Sequence, residues 1–282
     1  MNKNLIALMA AVASTSVFAS ATITGTYEGV LAESTSGAAT YTQDLDLTMK
    51  ASVAPGTSVT MTMENLTGGS TVSATTAFIE TQIEGINFKG GNFKGLNGAG
   101  LLQKKSAAAN QVRLSADVAG ASLAVNQVSG DGNATADVAT DVAGIMVNVQ
   151  NVANADRFVT ASTSVAGIDL NVERQKTTTG TNTAVSASTA AAGYGIAAVL
   201  VDVNDATNVT QDDGILGDIS DANNGTDVKG VVVTRGNLTG KYIVKNDLNT
   251  YVARMQRGVL DLGYSKTENA DGAFDAKINV AF

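Results

Sequence analysis

One short phrase recurs through the chain and limits what it can fold into. Val118-Ala119-Gly120 returns as Val142-Ala143-Gly144 and Val165-Ala166-Gly167, and more loosely as Ala191-Ala192-Gly193. Each copy is flanked by segments whose apolar residues alternate, as in 121–125 and 145–149. A period of two marks a strand with two unlike faces. A small residue followed by Gly between two such strands marks a tight hairpin, because Gly accepts the positive φ of a two-residue reverse turn. These glycines lie about 23 to 26 residues apart, room for one strand up, a loop and one strand down. The chain is an array of hairpins.

In order along the chain, Ile23, Gly25, Tyr27 and Leu31 share one strand face. Tyr41, Leu45, Leu47, Met49, Ala51 and Val53 then oppose Thr42, Asp44, Asp46, Thr48 and Lys50. Pro55-Gly56 turns the chain, and Val59, Met61 and Met63 alternate with Thr60, Thr62 and Glu64. The rhythm fails at 90–105, a stretch rich in Gly and Lys with no strand period, and resumes with Val112, Leu114 and Ala116 against Gln111, Arg113, Ser115 and Asp117. A second long loop, 204–226, is dense in Asp, Asn and Gly. Turn glycines 56, 85, 120, 144, 167, 193, 236 and 258 give eight turns at one end, hence 16–18 strands.

Composition narrows the chemistry. With no Cys and no His, the chain has no disulfides, no thiol or imidazole nucleophile and no ordinary zinc or haem ligand set; carboxylate or Ser/Lys chemistry stays open, but nothing is spaced for it, and no catalytic site is expected. Residues 1–19 have the form of a secretory signal, with Lys3, an apolar core from Leu5 to Ala13 and the small-x-small site Val17-Phe18-Ala19; cleavage after Ala21 is the second choice. The apolar core is shorter than the ~20 residues a membrane helix needs. The remaining 20–282 form a single domain with 17 Lys and Arg against 26 Asp and Glu, an unfavourable balance for nucleic acid.

A sheet of this many strands must close, roll or stack. Side chains cannot fill so wide an interior, so the polar face goes inside and the apolar face outside, the pattern of an all-β, antiparallel transmembrane β-barrel. At this point the chain resembles the Gram-negative outer-membrane general porins. Terminal Phe282, preceded on alternate positions by Val280, Ile278 and Phe274, looks like that family's C-terminal assembly signal; short turns alternate with longer loops, the third long and Gly-rich; and Arg113 follows that loop on a polar face. The resemblance implies passive diffusion of small hydrophilic solutes through a water-filled barrel in the bacterial outer membrane, short periplasmic turns, and a third loop folded inward to narrow the lumen at mid-height. It also implies a homotrimer, contact with lipid and lipopolysaccharide, and delivery by the barrel-assembly machinery. The chain departs from the family in having no Trp, 13 Phe plus Tyr, and a third loop with lysines where an acidic, Pro-containing one is common.

The expected constriction takes Lys89, Lys94, Lys104 and Lys105 from the loop and Lys50, Arg113 and Asp117 from the wall, with Asp44, Asp46 and Glu64 as counter-charges. The lysines suggest a weak anion preference. In the acidic loop, Asp221, Asn223 and Asp227 place oxygen ligands at alternate positions, as calcium loops do, without the distal bidentate Glu. A solvated outer loop is the plain reading, and a Ca ion bridging to lipopolysaccharide the alternative; no cofactor is otherwise implied. The competing fold is a secreted β-solenoid or surface adhesin, which is also rich in Thr, Asn, Gly and Val but buries its apolar face.

Overall fold

Every stretch that alternates in the sequence pairs with its neighbour in a computed structural model, which describes residues 20–34, 39–64, 73–93, 101–102, 109–130, 134–152, 157–205 and 226–282. The signal segment lies outside these residues. The first strands are β1 (Ser20–Ser34), β2 (Thr40–Ala54), β3 (Thr57–Glu64), β4 (Ser73–Ile83), β5 (Ile86–Phe93) and β6 (Ala109–Val118). Next come β7 (Ala121–Val128), β8 (Thr135–Val142), β9 (Ile145–Gln150), β10 (Arg157–Val165), β11 (Ile168–Lys176) and β12 (Thr181–Ala191). The last six are β13 (Tyr194–Asp202), β14 (Val228–Arg235), β15 (Leu238–Lys245), β16 (Leu248–Arg257), β17 (Leu260–Thr267) and β18 (Ala273–Ala281). Each strand is antiparallel to the next, and β18 pairs back onto β1 from Thr26↔Ala281 to Ser34↔Ala273, closing an 18-stranded barrel with no free edge.

All eight predicted turns are present at one end. In five of them both central residues have positive φ, as in Ala119 (51°) with Gly120 (84°). This is the type I′ turn, whose twist matches that of the strands it joins. Ala in this region costs roughly 1–2 kcal/mol, so the turn holds because the flanking ladder dictates it. Gly236 and Gly258 are instead the first residues of their turns, followed by Asn237 and Val259, one position later than the sequence suggested.

One boundary moves further. Gly90 to Phe93 belong to β5, paired with β4 and β6, so the interruption falls between Phe93 and Ala109 and does not begin at Gly90. Glycine has no side chain to alternate, which hid the strand. The Phe88 ring covers Gly90 from outside, where an added Cβ would lie 2.8 Å from its Cζ.

Cross-strand partners share a face, so the register sorts every strand residue. Ile23, Ile79, Leu114, Leu123, Val172, Ile196, Val231, Leu262 and Ile278 all point outward and are exposed; Met146 is an exposed apolar residue on the inner face. Phe274, Ile278, Val280 and Phe282 lie on the outer face. The last residue also fastens the seam: Gly25 and Phe282 exchange backbone hydrogen bonds of 2.8 and 3.0 Å. The Phe282 ring lies over Gly25, leaving no room for a Cβ there, which would approach its Cζ to 2.6 Å.

Candidate functional site: the lumen

The inner face is polar and unevenly charged. Glu28, Asp44, Asp46, Glu64, Glu80, Asp117, Asp137, Asp141, Asp169, Glu173, Asp261 and Asp275 point inward on the described strands, against Lys50, Lys89, Arg113, Lys241, Lys245, Arg254 and Lys277. Twelve carboxylates thus face seven cations. None of these charges comes from β12, β13 or β14. Their inward residues are Asn182, Ala184, Ser186, Ser188 and Ala190, then Gly195, Ala197, Val199 and Val201, then Val228, Gly230, Val232 and Thr234.

That uncharged strip is a seat. Leu101 and Leu102, from the connection between β5 and β6, pack against Phe158 of β10, Ala184, Val199, Val201, Val228, Val232 and Ile243 of β15. Leu102 is fully buried, and its backbone N–H donates to the Glu173 Oε2 at 2.9 Å; Glu173, on β11, is also fully buried. Leu101 and Leu102 therefore lie inside the barrel, and what meets the wall there is apolar. The seat lies in the loop-side half of the wall, since Val201, Val228 and Ile243 are close to the loop ends of their strands. Burying a Leu side chain contributes about 1.5–3 kcal/mol, enough to favour a docked position over a solvated one.

The sequence-selected residues have separate fates. Lys50 points into the lumen between Thr22 and Thr60 and is exposed there. Lys89 is a wall residue of β5, not a loop residue: its Nζ is 2.8 Å from Glu80 Oε1 and lies 3.8 Å from the Phe78 ring centroid and 4.9 Å from that of Phe93. Arg113 stands directly opposite Lys89 across the ladder. Its Nη1 donates to Asn126 Oδ1 at 2.8 Å and to Asp137 Oδ2 at 3.0 Å, and Asp137 Oδ1 accepts the Asn151 N–H. Lys50, Lys89 and Arg113 line one lumenal recess of about 630 Å³. Asp117 lies one residue from the end of β6 at the turn-side mouth, opposite Ser122. Lys94, Lys104 and Lys105 lie outside the described residues.

The acidic loop is tied down at both ends. Asn182 Oδ1 accepts the N–H groups of Asn204 (2.9 Å) and Asp205 (2.8 Å), and the Thr177 and Thr179 hydroxyls donate to the Asp205 carboxylate. Asp227 Oδ1 accepts the Val203 N–H at 2.8 Å. Asp221 and Asn223 lie outside the described residues, and among the described ones no three carboxylates gather around a metal-sized space. Reading from sequence also missed Arg254, which spans the ladder from β16: its Nε is 3.2 Å from both Asp261 oxygens, and its Nη2 is 2.7 Å from Asp275 Oδ2. The signal was available, because Arg254, Asp261 and Asp275 each sit on the polar phase of their strands. Gly263, between Arg254 and Asp275, leaves the space that the guanidinium occupies.

Comparison with known proteins places the fold. No family model matches the chain, and no curated protein sequence matches it. Among solved structures, OpdL of Pseudomonas aeruginosa is similar with a TM-score of 0.62 at 9% identity, over 94% of this chain and 98% of that one. A variant of the Rhodopseudomonas blastica porin gives 0.54 at 10% identity, over 93% of this chain and 100% of that one. At these identities the likeness is one of fold: the chain is a closed antiparallel β-barrel of the architecture seen in those two bacterial proteins.

Proposed function

We propose that this protein is an outer-membrane porin, a passive pore for small hydrophilic solutes and ions. The reading rests on one observation: the barrel is turned inside out relative to a soluble protein, with Val, Leu, Ile and Tyr exposed on its outer face and its strand charges concentrated on the inner one. Lipid accepts such an outer wall, and closure satisfies the backbone within it. Leu101 and Leu102 cover the uncharged strip, and the charged strands line the rest of the described inner face, which on this reading is the path of the solute. Export through a cleaved segment at 1–19, a homotrimer, contact with lipopolysaccharide and use of the barrel-assembly machinery belong to the same proposal and rest on the resemblance. A Ca ion at the outer loop 204–226 has only its alternating oxygen ligands in support.

The excess of inward carboxylates changes the expected selectivity. A low-dielectric wall focuses the field of its fixed charges, and this wall is net negative, with Asp117, Asp141, Asp169 and Asp261 near the turn-side mouth. We therefore propose a mild cation preference in place of the anion preference drawn from the loop lysines. Liposome swelling tests the pore. Vesicles carrying the protein should admit arabinose-sized sugars quickly and oligosaccharides slowly; vesicles that admit none, from protein that fractionates with the outer membrane, exclude general diffusion.

A further inference from the structure

The connection between β5 and β6 is held at a point far from both strands. Phe93 ends β5 and Ala109 begins β6, yet Leu101 and Leu102 sit on strands β10 to β15, around the ring. Two independent contacts meet there. The leucines fill an apolar seat on strands that carry no inward charge from β12 to β14, and the Leu102 N–H is capped by a carboxylate with no exposure to solvent. A buried carboxylate is stable only where donors surround it. Glu173 lies beside Gln175 and Asn182, which are also buried, and across from Thr160 and Ala184.

We infer that Glu173 is the positioning residue that sets the pore's width: with the seat of Val199, Val201, Val228 and Val232 it clamps Leu101–Leu102 to the far wall and confines passage to the charged side. The inference rests on the pore reading, and its test separates the two. The chain has no cysteine, so Leu102→Cys gives a unique thiol. In the folded barrel a water-soluble maleimide should label it at least about tenfold more slowly than a Ser162→Cys thiol, which faces the open lumen. Adding Glu173→Ala should remove most of that protection. In planar bilayers Glu173→Ala should raise single-channel conductance on the order of twofold, and Glu173→Gln, which keeps an acceptor for the Leu102 N–H, should restore the wild-type value. Heat-modifiable migration on a gel should be the same for all three, since the barrel ladder is untouched. Equal labelling at 102 and 162, or Glu173→Ala channels of wild-type size, would overturn the clamp. A protein that forms no channels, yet protects the thiol introduced by Leu102→Cys, would overturn the pore reading and leave the clamp standing.

Discussion

Strands β12 to β14 and strands β16 to β18 are alike outside and unlike inside. Both sets carry exposed apolar residues on the outer face: Val185, Ile196, Leu200 and Val231 in the first, Tyr251, Met255, Leu262 and Ile278 in the second. Inward, the first set presents Ala184, Val199, Val201, Val228 and Val232, whereas the second presents Arg254, Asp261, Asp275 and Lys277. The difference follows what each wall meets. A wall that faces water keeps charges, which hydrate without loss. A wall that faces another piece of protein sheds them, because an unpaired charge under Leu101 and Leu102 would be buried at high cost. The result is a barrel with an apolar exterior and, on β12 to β14, an uncharged inner strip that receives Leu101 and Leu102.

The sharpest way to break this contrast is to put a charge on the seat. Val201→Asp should expel both leucines, forfeiting about 1.5–3 kcal/mol for each. Labelling of a thiol at 102 should then approach that of an open lumenal site, and conductance should rise as it does for Glu173→Ala. A smaller effect is expected from removing charge on the other side. Arg254→Met leaves Asp261 and Asp275 without their shared partner, and because the three face a wet lumen the stability cost should be only about 1 kcal/mol. The permeability ratio of potassium over chloride should increase, read as a shift in reversal potential in a salt gradient. The smallest effect should come from Ser188→Lys, which adds a charge to β12 below the seat, opposite Asp169. It should change stability by no more than ~0.5 kcal/mol and leave labelling at 102 unaltered. A large change there would extend the seat further down the wall than its packing indicates. A control for the outer face is Val172→Arg, which should cost about 2–4 kcal/mol near mid-membrane, against little for Ser162→Arg on the inner face.

Much of the barrel is legible in the sequence because its two solvents impose a period of two. The turns at Gly120, Gly144, Gly167 and Gly193, the inward placement of Lys50 and Arg113, and the outward placement of Phe274, Ile278, Val280 and Phe282 all follow from that period. What escapes are places where the period carries no information. Gly90 and Gly91 have no side chain to alternate, so Gly90 to Phe93 reads as loop and Lys89 as a loop cation. The seat is half visible. The run from Ala190 to Val201 is apolar on both phases, the mark of a strand covered on two sides, but nothing local says that the inner cover comes from about a hundred residues earlier. Leu101-Leu102, the one large apolar pair in a stretch of Gly, Asn and Lys, is the matching signal. The Leu102–Glu173 bond joins residues 71 apart, a pairing no spacing rule proposes.

The central claim is a water-filled path with a net negative wall through an apolar-coated barrel. Purified full-length protein reconstituted in a planar bilayer, under a potassium chloride gradient, tests it most directly. A porin of this design gives stepwise, roughly ohmic conductance increments, with a reversal potential displaced toward that of potassium. A bilayer that stays silent while the protein is inserted would contradict the pore, and steps reversing near the chloride potential would contradict the assignment of its charged wall.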